Sequence, residues 1–431
     1  LMRLNFLSVR QERWANLHLF NAALAGRPGH WMIEIADGDV VSVRPQAPVE
    51  RLTEGSIDLE GRLVIRPLAD VHLHLDKAFQ TETAPNRSGT LAEAIRLGQA
   101  YKAQLNGPDV YQRIMRGVKG ALAQGVTRLR THVDVDPVAG LTGVVAALEA
   151  RGAMRDLVDL QVVAFPQEGI TNQPGVAELL REALRLGCSA VGGIPARDPD
   201  PEAHIQTVFA LAEAEGSLVD MHVDESDNPA DLTLPQIAEY TRRYGMAGRV
   251  AAGHCCSLSA QEPERRAEII QAVREAGVHI ITLPSTNLYL QGRDDQVNVR
   301  RGLAPVKELL AAGVNVTYGS DNIRDPFNPF GNGSMIESGL ILAHAAHMGG
   351  QDDLETILTM AGPRAEAVLD GIHPDQLPDA SIRPGIAANL VVLDATSPAE
   401  AIAGLRPPVH VFVRGKHVVH REERLSLSVS F

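Results

Sequence analysis

Cysteines, aromatic residues and long apolar runs are all scarce in this sequence. Three cysteines occur among 431 residues, and aromatic residues make up 4% of the chain. Cys255 and Cys256 are adjacent and Cys188 is isolated, so we expect neither a disulfide framework nor a C-x-x-C metal motif. No stretch reaches the ~18 apolar residues that a bilayer span requires, and the N-terminus lacks an apolar segment ending in a cleavage site. These absences favour a reducing compartment, and we expect a cytoplasmic protein without a membrane partner.

Positive charge is in deficit as well. The 40 Lys and Arg residues are outnumbered by 53 Asp and Glu residues, which gives a formal net charge of −13. Binding to a nucleic-acid backbone requires a basic face, so we expect no nucleic-acid partner. A small neutral substrate is compatible with this charge.

Short apolar runs recur along the chain, with helical stretches rich in Ala, Leu, Glu and Arg between them. The runs are apolar throughout rather than alternating, which is typical of parallel strands buried on both faces. The predicted strands are 63–71, 127–135, 159–164, 189–193, 218–222, 249–254, 278–283 and 314–318. Eight strand–helix units predict an α/β fold, a (β/α)8 TIM barrel, and an open doubly wound sheet is the alternative.

The two chain ends differ from the middle of the chain in their pattern of apolar and polar residues. Residues 1–60 and 380–431 alternate apolar and polar residues and are punctuated by Pro and Gly, which is typical of antiparallel strands. We expect these segments to join into one small β-sandwich domain. Residues 61–379 are then the barrel domain.

Residues that commonly bind metals fall at the carboxyl ends of four predicted strands. His72 and His74 lie two residues apart at the end of the first strand, so their side chains point to the same face. His222 ends the fifth strand, His254 ends the sixth, and Asp321 follows the eighth. Each alone has an ordinary structural explanation, such as a hydrogen-bonded core histidine or a helix cap. Together they lie on the face of a barrel where active sites are built, which predicts a metal-dependent active site.

Two neighbouring features bear on the chemistry of this site. Glu225 follows His222 by three residues, where a carboxylate could move protons without binding the metal. Cys255 and Cys256 follow His254 but have no thiolate partners at usable spacing, so we expect them to pack beside the pocket without reacting.

These residues and several longer stretches resemble the amidohydrolase superfamily, and within it bacterial cytosine deaminases. The resemblance extends from about residue 63 to 335 and includes 131–135 (THVDV), 163–170 (VAFPQEGI), His222-x-x-Glu225, 287–293 (NLYLQGR) and 325–327 (DPF). Residues 320–325 and 329–333 are also similar to N-isopropylammelide isopropylamidohydrolases, which remove an alkylamine from a triazine ring.

The resemblance implies one divalent cation, zinc or iron, and a division of roles among the site residues. The implied metal ligands are His72, His74, His222 and Asp321. His254 is implied to orient the attacking water, Glu225 to shuttle protons and Gln167 to hydrogen-bond the base. Asp321, beside that water, is expected to take its proton as well.

The resemblance also shapes the expected substrate pocket. The Gln167 amide offers both a donor and an acceptor, which matches the amide edge of a pyrimidine. Asn322 stands where cytosine deaminases carry a second acidic residue, and Phe327 stands where they carry Trp; both are expected to line the pocket. We therefore expect hydrolytic deamination of a cytosine-like pyrimidine or a related aminated heterocycle, by an enzyme that we expect to be a homo-oligomer.

Three other functions are open. The first is removal of an amine or alkylamine from an s-triazine, and the second is hydrolysis of a cyclic amide. Cyclic-amide hydrolases of this superfamily usually hold two metals bridged by a carboxylated lysine at the end of the fourth strand, but residues 190–195 (AVGGIP) contain no lysine. One metal is therefore expected. The third is a non-catalytic binding protein, which the presence of the full ligand set and Glu225 disfavours.

Overall fold

The computed structural model describes residues 16–47 and 55–423. It divides into two compact units. The larger comprises Leu68–Ala121 and Val126–Asp379; the smaller comprises Leu122–Gly125 together with the described residues up to Pro67 and from Ala380 onward. Residues 1–15, 48–54 and 424–431 of the predicted terminal domain lie outside the described residues.

The strands are numbered in chain order. They are β1 (Asn16–Leu24), β2 (Arg27–Ala36), β3 (Asp39–Pro45), β4 (Ser56–Asp58), β5 (Leu63–Ile65), β6 (Leu68–Leu73), β7 (Val126–Asp134), β8 (Asp159–Phe165), β9 (Ala190–Gly193), β10 (Leu218–Val223), β11 (Val250–His254), β12 (His279–Thr282), β13 (Val316–Tyr318), β14 (Leu390–Leu393), β15 (Pro408–Val413) and β16 (Lys416–His420).

The α-helices are numbered in the same way. They are α1 (Leu91–Lys102), α2 (Gly107–Ala123), α3 (Thr142–Met154), α4 (Val176–Leu186), α5 (Pro201–Glu215), α6 (Leu234–Arg243), α7 (Pro263–Ala276), α8 (Pro284–Leu290), α9 (Val306–Ala311), α10 (Met335–Ala345), α11 (Gln351–Met360), α12 (Pro363–Asp370) and α13 (Pro398–Ala403). Within the described ranges, no helix is long and apolar enough to cross a membrane.

The larger unit is the predicted (β/α)8 barrel. Strands β6 to β13 pair in parallel and in chain order, and their residues are almost all buried, as strands covered on both faces must be. The first and last strands meet through a parallel bridge between Leu73 and Asp321, where the Asp321 N–H donates to the His72 carbonyl at 2.8 Å. The barrel prediction is confirmed, and the open sheet is excluded.

The prediction of one strand at 63–71 was wrong, because this segment contributes to two separate strands. Leu63–Ile65 pairs with β1 and β14 in the sheet of the smaller unit, whereas Leu68–Leu73 begins the barrel. Pro67 lies between them and has no N–H to contribute to a ladder, so the chain can leave one sheet there and enter the other.

Both chain ends contribute to the sheet of the smaller unit. Its strand order is β16-β15-β14-β5-β1-β2-β3, and β4 pairs with β1. Its core joins residues from both ends of the chain, including Leu19, Ile33, Leu390 and Phe412, each fully buried. The expectation of a separate sheet built by both ends is confirmed.

Candidate metal centre and active site

Four ligand atoms converge at the carboxyl end of the barrel. The Nε2 atom of His222 lies 3.2 Å from His72 Nε2 and 3.1 Å from His74 Nε2. Asp321 Oδ1 lies 3.4 Å from His74 Nε2 and 3.9 Å from His72 Nε2. The four side chains are buried, and one ligand atom from each lies within 4.8 Å of the others. The structure thus brings the four predicted ligands together as a group that could hold a metal ion.

The protonation of these histidines suits a metal. Burial lowers the pKa of His72, His74 and His222 well below the ordinary value, so all three imidazoles are neutral. The Nε2 atoms of these neutral rings converge with the Asp321 carboxylate, and a cation would pair with the lone pairs that they can offer. Three imidazoles and one carboxylate are a common ligand set for zinc or iron, so the residues fit a divalent ion.

The backbone is strained where these side chains leave the strands. Asp321 has φ of 59° and His254 has φ of 68°, the left-handed region that costs a non-glycine residue roughly 1–3 kcal/mol. Two glycines make room for His72. A Cβ at Gly253 would lie 3.0 Å from His72 Cε1, and one at Gly319 would lie 2.6 Å from the His72 carbonyl oxygen.

A second group of buried polar side chains lies beside the ligand group. Asp220 lies two residues before His222 on β10, and its Oδ1 is 3.3 Å from His132 Nε2 and 3.9 Å from His72 Nδ1. Arg130 donates to Asp220 Oδ2 at 2.9 Å, with both side chains buried. Carboxylates behind metal-binding histidines fix the ring orientation. Sequence reasoning assigned no role to Asp220, His132 or Arg130. Side chains two residues apart on a strand share a face, so Asp220 lies on the face of His222, and Arg130 lies on the face of His132.

Glu225 and His254 adjoin the ligand group. Glu225 Oε1 lies 3.6 Å from His254 Nδ1, and the Glu225 side chain is 26% exposed at the cleft. Burial and, secondly, the Asp321 carboxylate raise the pKa of Glu225 to about 8. Burial lowers the pKa of His254 to about 4, and Asn287 Nδ2 lies 3.0 Å from its Nδ1. A carboxyl group that carries a proton at neutral pH therefore lies beside a neutral imidazole.

Neither vicinal cysteine is suited to nucleophilic chemistry. Both are buried, and burial raises the pKa of each thiol well above its ordinary value. A thiol that stays protonated is a poor nucleophile and a poor metal ligand.

Gln167 is held by a lysine that sequence reasoning did not assign to the site. Lys77 Nζ donates to Gln167 Oε1 at 2.9 Å and contacts Asp134 Oδ1 at 2.7 Å. Lys102 in turn contacts Asp134, Asp136 and Glu168 at 2.9 to 3.0 Å. Lys77 therefore uses one of the two lone pairs of the Gln167 amide oxygen, and the binding of a base by Gln167 stays a prediction.

Asn322 and Phe327 lie at the cleft. Asn322 Nδ2 donates to Asp325 Oδ2 at 2.7 Å, and Asp325 Oδ1 accepts from the backbone N–H groups of Phe327 and Asn328 at 2.8 and 3.2 Å. The Phe327 ring lies 5.9 Å from Lys77 Nζ.

The predicted site residues line a cleft of about 830 Å³. That volume is in the usual range for a small-molecule site. Its polar lining includes His74, Gln167, Arg197, His222, Glu225, His254, Asp321 and Asn322, and its apolar lining includes Leu91, Ile95, Ile194, Leu232, Leu290 and Phe327. All the predicted site residues except His72, which lies beneath, therefore line one cleft.

Comparison with known proteins agrees with the fold. The amidohydrolase family model matches residues 56–419. N-isopropylammelide isopropyl amidohydrolase from Pseudomonas sp. (strain ADP) is 30% identical over 94% of this chain and 98% of its own length. Pterin deaminase from Rhizobium rhizogenes is 34% identical over 71% of this chain and 70% of its own.

A solved structure extends the likeness to three dimensions. The crystal structure of 5-methylcytosine deaminase from Klebsiella pneumoniae, liganded with 5-fluorocytosine, superposes with a TM-score of 0.89. It is 33% identical and covers 95% of this chain and 99% of its own.

Proposed function

The chain belongs to the amidohydrolase family, and we propose that it is a metal-dependent deaminase that hydrolyses the exocyclic amine of a cytosine-like pyrimidine or a related aminated heterocycle. The observation that carries this proposal is the position of Glu225. It is a proton-bearing carboxyl group at the same cleft as the four ligand residues, 3.6 Å from His254. Besides a source of hydroxide, hydrolytic deamination needs an acid near the ligand group that can protonate the ring nitrogen and the leaving amine.

In this proposal His72, His74, His222 and Asp321 hold one divalent cation, zinc or iron. Such a cation supplies Lewis acidity and makes hydroxide available near neutral pH. The remaining chemistry belongs to side chains of the protein.

Asp321 deprotonates the attacking water, and His254 orients it. Asp321 Oδ2 is buried and has no hydrogen-bond partner among the described residues, so it is free to accept a proton from water. The neutral His254 ring also has an unpartnered buried nitrogen, Nε2, within the described part of the chain. That nitrogen can orient the water toward the ring carbon that bears the amine.

Glu225 moves protons between the ring and the leaving group. Protonation of the ring nitrogen next to the amine-bearing carbon makes that carbon more electrophilic, and Glu225 carries the proton for this step. After attack, the ionised Glu225 carries the water proton held by Asp321 to the amine. As ammonia leaves, Glu225 takes the remaining hydroxyl proton, so that a carbonyl forms and the carboxyl group is restored. General acid–base catalysis of this kind typically contributes ~10²–10⁴ in rate.

The relatives support a heterocyclic amine as substrate. Two of the similar proteins are deaminases, one of a pterin and one of 5-methylcytosine. The test is an ammonia-release screen of aminopyrimidines, aminotriazines and pterins with zinc- or iron-reconstituted enzyme. We expect ammonia from at least one class, released about 10²–10⁴ more slowly by the Glu225→Gln variant. Absence of ammonia from every class, with metal bound, contradicts the proposal.

Removal of an alkylamine is the second candidate. Similarity to N-isopropylammelide isopropyl amidohydrolase extends over 94% of this chain, and the cleft of about 830 Å³ has room for an N-alkyl group. Chromatographic identification of the amine released from N-isopropyl and unsubstituted rings separates the two activities.

A single metal is also part of the proposal. The end of β9, where a bridging lysine would lie, is Gly192-Gly193 followed by Ile194 and Pro195. Elemental analysis should give about one equivalent of metal per chain, and two equivalents would favour a cyclic-amide hydrolase. The homo-oligomer and the cytoplasmic location remain predictions.

A further inference from the structure

The carboxyl group of Glu225 is not fixed by hydrogen bonds of its own. Its Oε1 lies 3.6 Å from His254 Nδ1, which is beyond hydrogen-bond distance, and no side chain within residues 16–47 and 55–423 donates to it. A proton carrier must nevertheless stay within reach of the groups that it protonates. The position of Glu225 therefore depends on how its backbone is held.

That backbone leaves the barrel sheet just before Glu225. The ladder between β10 and β11 ends at the pair of Val223 and His254, with one further bond from the Cys255 N–H to the Val223 carbonyl at 2.8 Å. Asp224 and Cys255 then both adopt a left-handed backbone with φ of 52°, so the two chains no longer pair as strands. The carbonyl groups of residues 224–226 therefore need donors from outside the ladder.

Ser257 supplies two of these donors. Its hydroxyl group donates to the Ser226 carbonyl at 2.7 Å and lies 3.3 Å from the Asp224 carbonyl, to which its backbone N–H donates at 3.2 Å. The Ser257 side chain is fully buried. The carbonyl of Glu225 itself accepts from Gln291 Nε2 at 3.4 Å, which is a long bond. Ser257 thus binds the backbone on both sides of Glu225.

The same serine belongs to the segment that carries His254. Ser257 lies three residues after His254, in the short 3-10 helix Cys256–Ala260 that follows β11. A bond from this helix to the Glu225 loop therefore sets the acid relative to the imidazole. We infer that Ser257 is a positioning residue, whose bond to the Ser226 carbonyl holds the Glu225 carboxyl group where proton transfer requires it. This inference rests on the proposed function, because it takes Glu225 as the proton carrier.

Steady-state kinetics of zinc-loaded Ser257→Ala test the inference, with whichever ring of the aminopyrimidine, aminotriazine and pterin panel gives ammonia. We expect kcat to fall about 10- to 100-fold, since a displacement of about 1 Å in a catalytic group has such an effect. KM should stay unchanged, because Glu225 acts in the transition state. Ser259→Ala is the matched control. Ser259 lies in the same 3-10 helix, and its hydroxyl donates to the Leu303 carbonyl rather than to the Glu225 loop, so kcat should not change.

A double variant separates positioning from a general loss of structure. If Ser257 acts through Glu225, adding Ser257→Ala to Glu225→Gln should lower turnover no further, because the acid that it positions is already absent. A role in packing alone would lower turnover by the same factor in both backgrounds.

Amide hydrogen exchange follows the loop without any substrate. Loss of one hydrogen bond should make exchange of the amides of residues 224–228 about fivefold faster in Ser257→Ala. The amides of β10 should keep their rates, and Ser259→Ala should leave exchange at 224–228 unchanged.

The outcomes separate the two proposals. Unchanged kcat in folded, zinc-loaded Ser257→Ala overturns the inference, as does a loss that persists in full in Glu225→Gln, or unchanged exchange at 224–228. If Ser257→Ala fails to fold, Ser257→Cys, which donates more weakly, is measured by the same criteria. Absence of ammonia from every ring, with metal bound, refutes the deaminase and with it the catalytic role of Ser257, whereas faster exchange would still identify Ser257 as the anchor of the loop.

Discussion

Glu225→Gln should lower turnover and, in metal-free protein, stabilise the fold. Burial and the Asp321 carboxylate raise the pKa of Glu225 from 4.5 to about 8. Each tenfold change in proton affinity corresponds to about 1.4 kcal/mol, so the ionised carboxylate at pH 8 would destabilise the folded state by up to about 5 kcal/mol. The side chain is 26% exposed, and solvent screening reduces this to roughly 2 kcal/mol.

The sign of the effect depends on pH. Below pH 4.5 Glu225 is protonated in both the folded and the unfolded chain, so wild type and variant should be equally stable. Between 4.5 and about 8 the unfolded chain loses the proton while the folded chain keeps it, and wild-type stability falls relative to the variant. Above pH 8 the difference should be constant.

Two assays check this prediction. Urea denaturation of metal-free protein between pH 4.5 and 8.5 gives the free energy of unfolding, and Glu213→Gln, an exposed change on α5, is the control that should show no such trend. Turnover of the metal-loaded variant should fall by about 10²–10⁴ with its metal content unchanged. Wild-type turnover in the variant would refute the acid role, and a stability difference independent of pH would refute the raised pKa.

Three further predictions concern the metal centre. Gly319→Ala places a Cβ 2.6 Å from the His72 carbonyl oxygen and should weaken zinc binding at least tenfold in chelator competition. The control Gly152→Ala, whose Cβ would meet nothing within 4 Å, should leave zinc binding unchanged. Asp220→Asn should weaken zinc binding about 10- to 100-fold in the same assay, because the carboxylate behind His72 is lost; unchanged affinity would refute a positioning role. Chelation should lower the melting temperature, and readdition of zinc at 100 times its Kd should restore about 2.7 kcal/mol of stability; a melting temperature that does not respond to metal contradicts a specific site.

The ligand group was predictable because two simple rules determine it. Side chains two residues apart on a strand share a face, which pairs His72 with His74, and parallel barrel strands all end at the same face. These rules need only the strand ends, and most strands began and ended within two residues of their predicted limits. The error at Pro67 did not matter to the site, because β6 still ends at Leu73.

The contacts of Lys77 with Gln167 and Asp134 could not be predicted from the sequence. The contact between Lys77 and Gln167 joins residues 90 positions apart on different loops, and no spacing rule relates them. Lys77 is adjacent to a recognised motif, yet a lysine there has an ordinary explanation as an exposed loop residue. Its burial against Asp134 became visible only in three dimensions.

The arrangement of the ligands from the first and last barrel strands follows from how the barrel closes. The Asp321 N–H donates to the His72 carbonyl at 2.8 Å, and the His74 N–H donates to the Asp321 carbonyl at 3.3 Å. The Asp70 carboxylate accepts from the Ser320 N–H at 3.1 Å and from the His72 N–H at 3.4 Å. The bonds that join the first strand to the last therefore also set the separation of the ligand side chains. Because closure and ligand placement share these bonds, the positive φ of Asp321 is maintained by the barrel itself, and the ligand group is positioned before any metal binds.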